Sequence, residues 1–183
     1  ADGEWTENQI LLDKIPSGNY HQGGRIKIGF DNKLYVTTGD AKQEEIAQDL
    51  NSLGGKILRL NLDGTIPEDN PYPNSYVYSY GHRNPQGLTW DVEGRLYSSE
   101  HGESAKDELN QIEPGKNYGW PEIEGDETKA GMETPLINAG EDTWAPSGIA
   151  YNNDRIYIAT LRGEALKAYD IESKTMKDIV TDK

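Results

Sequence analysis

The sequence predicts an all-β fold in which four-stranded sheets are arranged as the blades of a β-propeller. A hairpin pattern occurs three times, with a period of about 60 residues. Each copy contains a short turn rich in Asn, Asp or Gly, and convincing helical patterns are scarce. The three copies are GRIKIGFDNKLYVTTG, QGLTWDVEGRLYSSEHG and SGIAYNNDRIYIATLRG.

Each copy predicts two strands joined by a tight turn. An aromatic residue precedes each turn and a tyrosine lies in each second strand: Phe30 and Tyr35, Trp90 and Tyr97, and Tyr151 and Tyr157. Further strands are predicted after the hairpins, over residues 56–61, 76–80, 109–112, 164–170 and 176–180. A short helix is predicted in the connection 43–50, and an outer strand of a preceding unit over 9–15.

These elements predict one partial β-propeller domain over residues 1–183. It would contain the end of one blade at 1–18 and then three repeats, starting near residues 19, 81 and 144.

Composition excludes several classes of partner. The chain has a formal net charge of −14, so nucleic acids and anionic lipid surfaces are not expected to bind it. No stretch is long and apolar enough to span a membrane, and any export signal is expected outside this chain. The absence of cysteine excludes disulfides and thiolate metal sites. The acidity suits divalent cations or hydroxyl-rich ligands, or simply a solvated surface.

The loops that flank the three hairpins are the predicted location of a site. The two outer ends of a hairpin lie together, so in a radial arrangement all six loops converge at one end near the axis. The loops before the hairpins contain His21, Arg83-Asn84 and Pro146-Ser147. The loops behind them contain Gly39-Asp40, His101-Gly102-Glu103 and Arg162-Gly163.

Several of these residues are candidates for catalysis or binding. His21 can accept a proton near neutral pH, or it can be an ordinary surface residue. Arg83 offers a bidentate guanidinium and Asn84 an amide, although Arg83 could instead pair with a neighbouring acid. Arg162, taken alone, could be any surface arginine.

The segment 100–121 combines acidic residues with turn glycines. Carboxylate and carbonyl oxygens held by irregular chain are the ligands of calcium, but the spacing does not match an EF-hand loop. A solvated acidic loop is the alternative.

The same residues carry a family resemblance. The runs HQGGRIKIGFDNKLYVTTGDA, GGKILRLNLDGTIPEDNP, YGHRNPQGL, DELNQIEPGKNYGWP and LRG occur in this order over nearly all of 11–169. They resemble the soluble glucose/sorbosone dehydrogenases that use pyrroloquinoline quinone (PQQ), in particular their aldose sugar dehydrogenase branch. The resemblance implies an enzyme with PQQ and Ca²⁺ as cofactors that oxidises aldoses to lactones.

The resemblance also implies roles for individual residues. His21 matches the base that takes the proton of the anomeric hydroxyl while hydride passes to the quinone. Arg83, Asn84 and Arg162 match residues that contact PQQ. Gly102 and Glu103 match the backbone ligands of the calcium beside the cofactor. A second, structural calcium is implied at Asp107, Glu108 and the backbone of Tyr118.

Three departures from the family pattern affect these expectations. Tyr20 stands where the glucose dehydrogenases have an acid that orients the base, and Glu103 stands where they have proline. Family members form six blades, whereas about 60 residues per repeat gives this chain about three. The missing blades are therefore expected from the rest of a longer protein or from self-association.

The alternative to an enzyme is a non-catalytic calcium-binding propeller that serves as a recognition module. The presence of His21 together with the three cofactor-contacting residues favours the enzyme. The family implies a periplasmic or extracellular location, while the electron acceptor is not specified by the sequence.

Overall fold

The computed structural model describes residues 9–181, which form three four-stranded antiparallel sheets. The first sheet contains β1 (Gly23–Ile28), β2 (Leu34–Thr38), β3 (Lys56–Leu60) and β4 (Val77–Tyr80). The second contains β5 (Pro85–Trp90), β6 (Leu96–Glu100), β7 (Glu108–Ile112) and β8 (Ile137–Asn138). The third contains β9 (Pro146–Asn152), β10 (Arg155–Thr160), β11 (Ala165–Asp170) and β12 (Thr175–Thr181).

Each sheet is a simple meander in which neighbouring strands are consecutive in the chain. The first strand of the second sheet, β5, contacts both β1 and β9, which are the first strands of the other two sheets. The three sheets are therefore stacked with their first strands side by side, as in neighbouring blades around an axis. The prediction of an all-β propeller with four-stranded blades is confirmed.

Two apolar clusters hold the sheets together. The cluster between the first and second sheets consists of Tyr35, Ile57, Leu88, Leu96, Ile112 and Tyr118. The cluster between the second and third sheets consists of Tyr97, Leu109, Ile149, Ile156, Ile158 and Tyr169. The second sheet contributes to both clusters, because alternate residues of a strand point to opposite faces.

The hairpin turns form where the Asn, Asp and Gly residues predict them. Asn32, Gly94 and Asn153 have φ values of 57°, 82° and 48°, a left-handed conformation that these residues tolerate better than most. In the first two copies the turn aspartate accepts a hydrogen bond from the tyrosine hydroxyl of the second strand. The pairs are Asp31 with Tyr35 and Asp91 with Tyr97, each at 2.9 Å.

Two expectations about the connections need correction, and one strand was missed. Residues 9–15 pair with none of the three sheets and form no strand; they lie against the turn after β3, where Gln9 donates to Asp63 O. The helix predicted over 43–50 is only a 3-10 turn, Glu44–Ala47. The two-residue strand β8 was not predicted, since it is too short to show a pattern.

Between residues 9 and 181 no helix has the length and apolarity that crossing a bilayer requires.

The core packing predicts different costs for two leucine truncations. Leu88→Ala, at a position with 0% exposure between two sheets, should lower the free energy of unfolding by about 3 kcal/mol because it leaves a cavity. Leu62→Ala, at a position that is 46% exposed, should change it by less than about 0.5 kcal/mol. Urea denaturation followed by tryptophan fluorescence measures both, and equal effects would contradict the packing of the second sheet.

Candidate active site

His21 precedes β1, and the loop after β2 fixes its backbone. His21 has a left-handed φ of 57°, which costs free energy for a residue other than glycine. Its carbonyl accepts a hydrogen bond from Ala41 N at 3.1 Å. A Cβ atom at Gly39 would collide with the same carbonyl, so glycine is required for this close approach. The contact with residues 39–41 therefore holds His21 in one backbone conformation.

Asp40 orients the imidazole of His21. Its Oδ1 lies 2.7 Å from His21 Nδ1, and its Oδ2 accepts a hydrogen bond from Trp120 Nε1 at 2.8 Å. The Asp40 side chain is completely buried. Because an ionised carboxylate only accepts hydrogen bonds, neutral His21 carries its proton on Nδ1. Its Nε2 is then the atom that is free to accept a proton.

The surroundings of His21 lower its pKa below the ordinary value of 6.5. Partial burial is the main cause; the hydrogen bond to Asp40 acts in the opposite direction, and the positive charge of Arg83 lowers the pKa further. The imidazole is consequently neutral near pH 7, which is the protonation state that a general base requires.

Asp40 lies in a predicted flanking loop, but no role was predicted for its side chain. Tyr20, which stands where the glucose dehydrogenases have an acid, is 67% exposed. The structure supplies the acid from the other end of the same hairpin. The His21–Asp40 contact could have been predicted from the sequence, because the two ends of a hairpin lie together and these residues flank the first hairpin.

Arg83 and Asn84 lie beside His21, in the loop before β5. Asp40 N donates to Arg83 O at 2.9 Å, and Gly23 N donates to Asn84 Oδ1 at 3.1 Å. The two blades are thus joined through their loops by one backbone–backbone hydrogen bond and one hydrogen bond to the Asn84 side chain. His21, Arg83 and Asn84, which are far apart in sequence, are brought together as expected from the convergence of the loops.

Arg83 is 5% exposed, and the hydrogen bonds that its guanidinium donates are long. It lies 5.2 Å from the centre of the Trp120 ring and donates two long hydrogen bonds, both 3.3 Å, to the carbonyls of His101 and Glu103. Its Nε is buried and has no partner within residues 9–181. A buried N–H of this kind fits a ligand that brings a carboxylate or quinone oxygen.

A buried network of side-chain hydrogen bonds holds the backbone of Arg83, and this network was not predicted. His82 Nε2 lies 2.8 Å from Ser79 Oγ, and His82 Nδ1 lies 2.8 Å from Glu100 Oε2. The other oxygen of Glu100 accepts a short hydrogen bond from Arg83 N. Although the residue types are those of a hydrolytic triad, Ser79 and His82 are completely buried and no substrate can reach them. This hydrogen-bond network therefore fixes the position of the Arg83 backbone.

The loops that contain His101, Pro146 and Arg162 lie at the same end of the molecule. His101 Nε2 lies 2.7 Å from Pro146 O, which links the second blade to the third. Arg162 N donates to Trp144 O at 3.1 Å, whereas the Arg162 side chain is exposed and makes no hydrogen bond or ion pair in the described part of the chain. Arg162 thus joins the group through its backbone, and no direct hydrogen bond connects it to His21 or Arg83.

A cavity of about 710 Å³ opens at this end, between the second and third blades. Its lining includes Gln86, His101, Pro146, Ser147, Thr160 and Leu161. His21, Arg83 and Asn84 do not line it, so the cavity lies next to the polar cluster and does not contain it.

The predicted calcium ligands separate into different environments. Burial raises the pKa of Glu108 to about 8, and the negative charge of Glu100 adds to the effect. Among residues 9–181, the Glu108 carboxylate accepts hydrogen bonds from Gly125 N and Asn110 Nδ2 alone, at 2.9 and 3.1 Å. A small cavity of about 10 Å³ is lined by Glu108, Glu100, Gly102 and Tyr118, among others. A cation beside these two carboxylates would relieve their repulsion, so this position fits a metal ion.

Side chains alone do not complete a metal site. Within residues 9–181, no group of three or more His, Asp or Glu side chains is arranged to hold a metal ion. The contribution of backbone carbonyls of Gly102, Glu103 and Tyr118 stays a prediction. Asp107 has a different environment, since both of its carboxylate oxygens already accept hydrogen bonds from the protein.

The family model for glucose/sorbosone dehydrogenase matches residues 1–181. The chain belongs to the glucose/sorbosone dehydrogenase family. The aldose sugar dehydrogenase of Streptomyces coelicolor, solved in its PQQ-bound form, superposes on this family member with a TM-score of 0.87 and 46% identity, covering 91% of this chain and 51% of that one.

Two curated relatives agree with this assignment. Quinoprotein glucose dehydrogenase B of Acinetobacter calcoaceticus is 43% identical over 137 residues, which are 63% of this chain and 29% of the relative. Aldose sugar dehydrogenase YliI of Escherichia coli K12 is 38% identical over 165 residues, which are 79% of this chain and 44% of the relative. The chain therefore spans less than half the length of either curated relative.

The geometry around His21 predicts opposite pKa changes for two charge-removing variants. Asp40→Asn should lower the His21 pKa further, because Asp40 raises it, and Lys42→Gln should raise it slightly, because Lys42 lowers it. NMR titration of the three histidine rings measures both. A His21 pKa above 6.5 in the unaltered protein, or an upward shift in Asp40→Asn, would contradict this account.

Proposed function

We propose that the complete protein is a PQQ- and calcium-dependent oxidoreductase that oxidises aldoses to lactones. The main support is the position of His21, whose free Nε2 lies in the same loop cluster as the Arg83–Asn84 pair. The relatives named as quinoprotein glucose dehydrogenase and aldose sugar dehydrogenase support the same chemistry. A purely structural cluster would have no need for an oriented base beside an unsatisfied arginine.

In this proposal His21 is the general base. Its Nε2 takes the proton of the anomeric hydroxyl, and Asp40 stabilises the imidazolium that results, through the hydrogen bond to Nδ1. When bound, PQQ supplies the oxidant that accepts the hydride released from the same carbon. Loss of one proton and one hydride converts the cyclic aldose to its lactone.

Arg83, Asn84 and Arg162 hold the cofactor. The unpaired Arg83 Nε and the exposed guanidinium of Arg162 can donate to carboxylate or quinone oxygens. Their positive charge also stabilises negative charge that develops on a reduced quinone. Asn84 Oδ1 already accepts from Gly23 N, so its amide N–H groups are the ones that can face a ligand.

Calcium contributes at two positions in this proposal. Backbone oxygens of Gly102 and Glu103 would hold one ion, which would supply Lewis-acid polarisation of the quinone. Glu108 and the backbone of Tyr118 would hold the second, structural ion, since a cation would offset the burial and the Glu100 charge that raise the pKa of Glu108.

The proposal extends to the setting of the protein. We place the enzyme in the periplasm or outside the cell, where relatives of this type are expected to work on sugars. The remaining blades come from the rest of a longer protein or from a second copy, and the electron acceptor is a separate redox partner. A calcium-binding recognition module is the competing function.

His21→Gln in the complete, PQQ- and calcium-loaded protein should lower kcat by about 10² to 10⁴-fold, because it removes the base. PQQ affinity should remain nearly unchanged, since His21 is not one of the proposed cofactor-holding residues. Steady-state reduction of an artificial electron acceptor, with glucose and other aldoses, measures the rate, and fluorescence titration measures PQQ binding.

Tyr20→Phe is the control, because its side chain is exposed and neighbours His21 in sequence. It should retain full activity. If the unaltered, folded protein oxidises no aldose in the presence of both PQQ and calcium, the enzyme proposal fails and the recognition module replaces it.

The raised pKa of Glu108 predicts that the stability of the protein depends on pH. Calcium should remove this dependence. In metal-free protein its pKa is about 8 against 4.5 for the free residue, so the unfolded state releases the proton first. Its contribution to stability is fully present below about pH 4.5 and is lost as the pH rises towards 8. The melting temperature in chelator should therefore fall across this window, relative to Glu108→Gln, which has no proton to release.

Addition of calcium should raise the melting temperature of the unaltered protein at pH 8 by more than that of Glu108→Gln, which keeps only the proposed site at Gly102 and Glu103. Scanning calorimetry with and without chelator measures this difference. The same response to calcium in both proteins would place the ion elsewhere.

A further inference from the structure

The carboxylate of Asp107 lies directly before β7 and is almost completely buried, with 2% exposure. The family resemblance makes it a calcium ligand, together with its neighbour Glu108. The two side chains nevertheless have different partners. Glu108 faces the small cavity that it shares with Glu100 and Tyr118, whereas Asp107 does not line that cavity. Successive residues at the start of a strand point in opposite directions, which explains the separation.

Asp107 accepts four hydrogen bonds from the protein. Its Oδ2 accepts from Trp144 N at 2.5 Å, from Ala145 N at 2.7 Å and from the Thr143 hydroxyl at 2.9 Å. Its Oδ1 accepts from Gly102 N at 3.0 Å. A carboxylate has about four lone-pair positions, so these donors occupy its capacity. Three donors on one oxygen resemble an anion bound in a backbone concavity more than a metal ligand.

The segment that Asp107 binds in turn holds the loop of Arg162. Trp144 O accepts from both Arg162 N and Gly163 N, at 3.1 and 3.0 Å, and Ala145 O accepts from Leu161 N at 3.1 Å. Ala145 itself has a φ of 47°, a conformation that must be imposed by its surroundings. The hydrogen bond from Ala145 N to Asp107 is one of the contacts that impose it.

We propose that Asp107 is a positioning residue and not a calcium ligand. It clamps the loop of Gly102 to the segment 143–145, and this segment in turn fixes the backbone of Arg162. Its importance for PQQ rests on the proposed function, since Gly102 and Arg162 belong to the proposed calcium and cofactor sites. The clamp itself is a property of the apoprotein. It would exist without any metal ion or cofactor.

The variant that tests the clamp is Asp107→Asn in the complete protein. The amide group is nearly isosteric, but its NH₂ must face one of the backbone donors, so at least one hydrogen bond is lost along with the negative charge. Hydrogen exchange of the Gly102, Trp144 and Ala145 amides should accelerate at least about tenfold. Calcium content, measured by plasma mass spectrometry after dialysis against calcium, should equal that of the unaltered protein.

Glu108→Gln is the matched control. It should lose one calcium ion per chain and leave exchange at residues 144 and 145 unchanged. PQQ affinity should weaken about tenfold in Asp107→Asn, because the Arg162 loop is no longer fixed. If the unaltered protein binds no PQQ, the proposed function fails, while the exchange and calcium results still decide the role of Asp107.

Loss of one calcium ion from Asp107→Asn, with unchanged exchange at residues 144 and 145, would overturn the proposal. Should this variant not fold, Thr143→Val removes a single donor and keeps the carboxylate. It should accelerate exchange at the same two amides by a smaller factor. Unchanged exchange in Thr143→Val would count against the clamp in the same way.

Discussion

The carboxylate of Asp40 connects three separate parts of the chain, and the arrangement of the candidate active site depends on it. One oxygen contacts the imidazole of His21, the other accepts from the indole of Trp120, and the backbone N–H of the same residue donates to Arg83 O. A completely buried carboxylate needs such partners, because burial without them costs several kcal/mol. The need to satisfy one buried charge therefore fixes the relative positions of a base, an aromatic ring and an arginine.

The same physical device recurs around the loops. Glu100 accepts from Arg83 N and contacts His82, and Asp107 accepts four donors from two loops. In each case a carboxylate on one segment satisfies N–H groups of another, where no regular strand pairing is available. Glu108 is the exception. It accepts few hydrogen bonds, and burial and the charge of Glu100 raise its pKa, whereas Asp40, Glu100 and Asp107 are satisfied by groups that they hold in place.

The fold was predictable from the sequence because it depends on a repeated local pattern. The three hairpins, their turns and most later strands follow from alternation and from Asn, Asp and Gly at positions with positive φ, such as Asn32 and Gly94. The strand predicted over 9–15 failed, since a strand needs a neighbour and the pattern alone does not supply one. The two-residue strand β8 was missed because its position depends on a partner strand more than on its own residues.

The candidate site was predictable in outline only. Hairpin geometry indicated that His21, Arg83 and Asn84 would meet, and the loops did bring them together. The supporting residues were beyond the reach of the sequence, because Ser79, His82 and Trp120 contact the site through tertiary packing that no spacing reveals. Asp40 is the intermediate case, in which local geometry placed the residue correctly and only its hydrogen bonds gave it a role.

The chemistry-bearing loops all lie at one end of the strands, and the turns around Asn32, Gly94 and Asn153 lie at the other. The turn end is held by its own local aspartate–tyrosine contacts in the first two blades. The architecture thus places the turns and the polar loops at opposite ends of the strands. Peptide tags, labels or fused domains attached at an exposed turn residue such as Val92 would lie at the end opposite the polar cluster, which makes the turn end suitable for immobilising the protein on a surface.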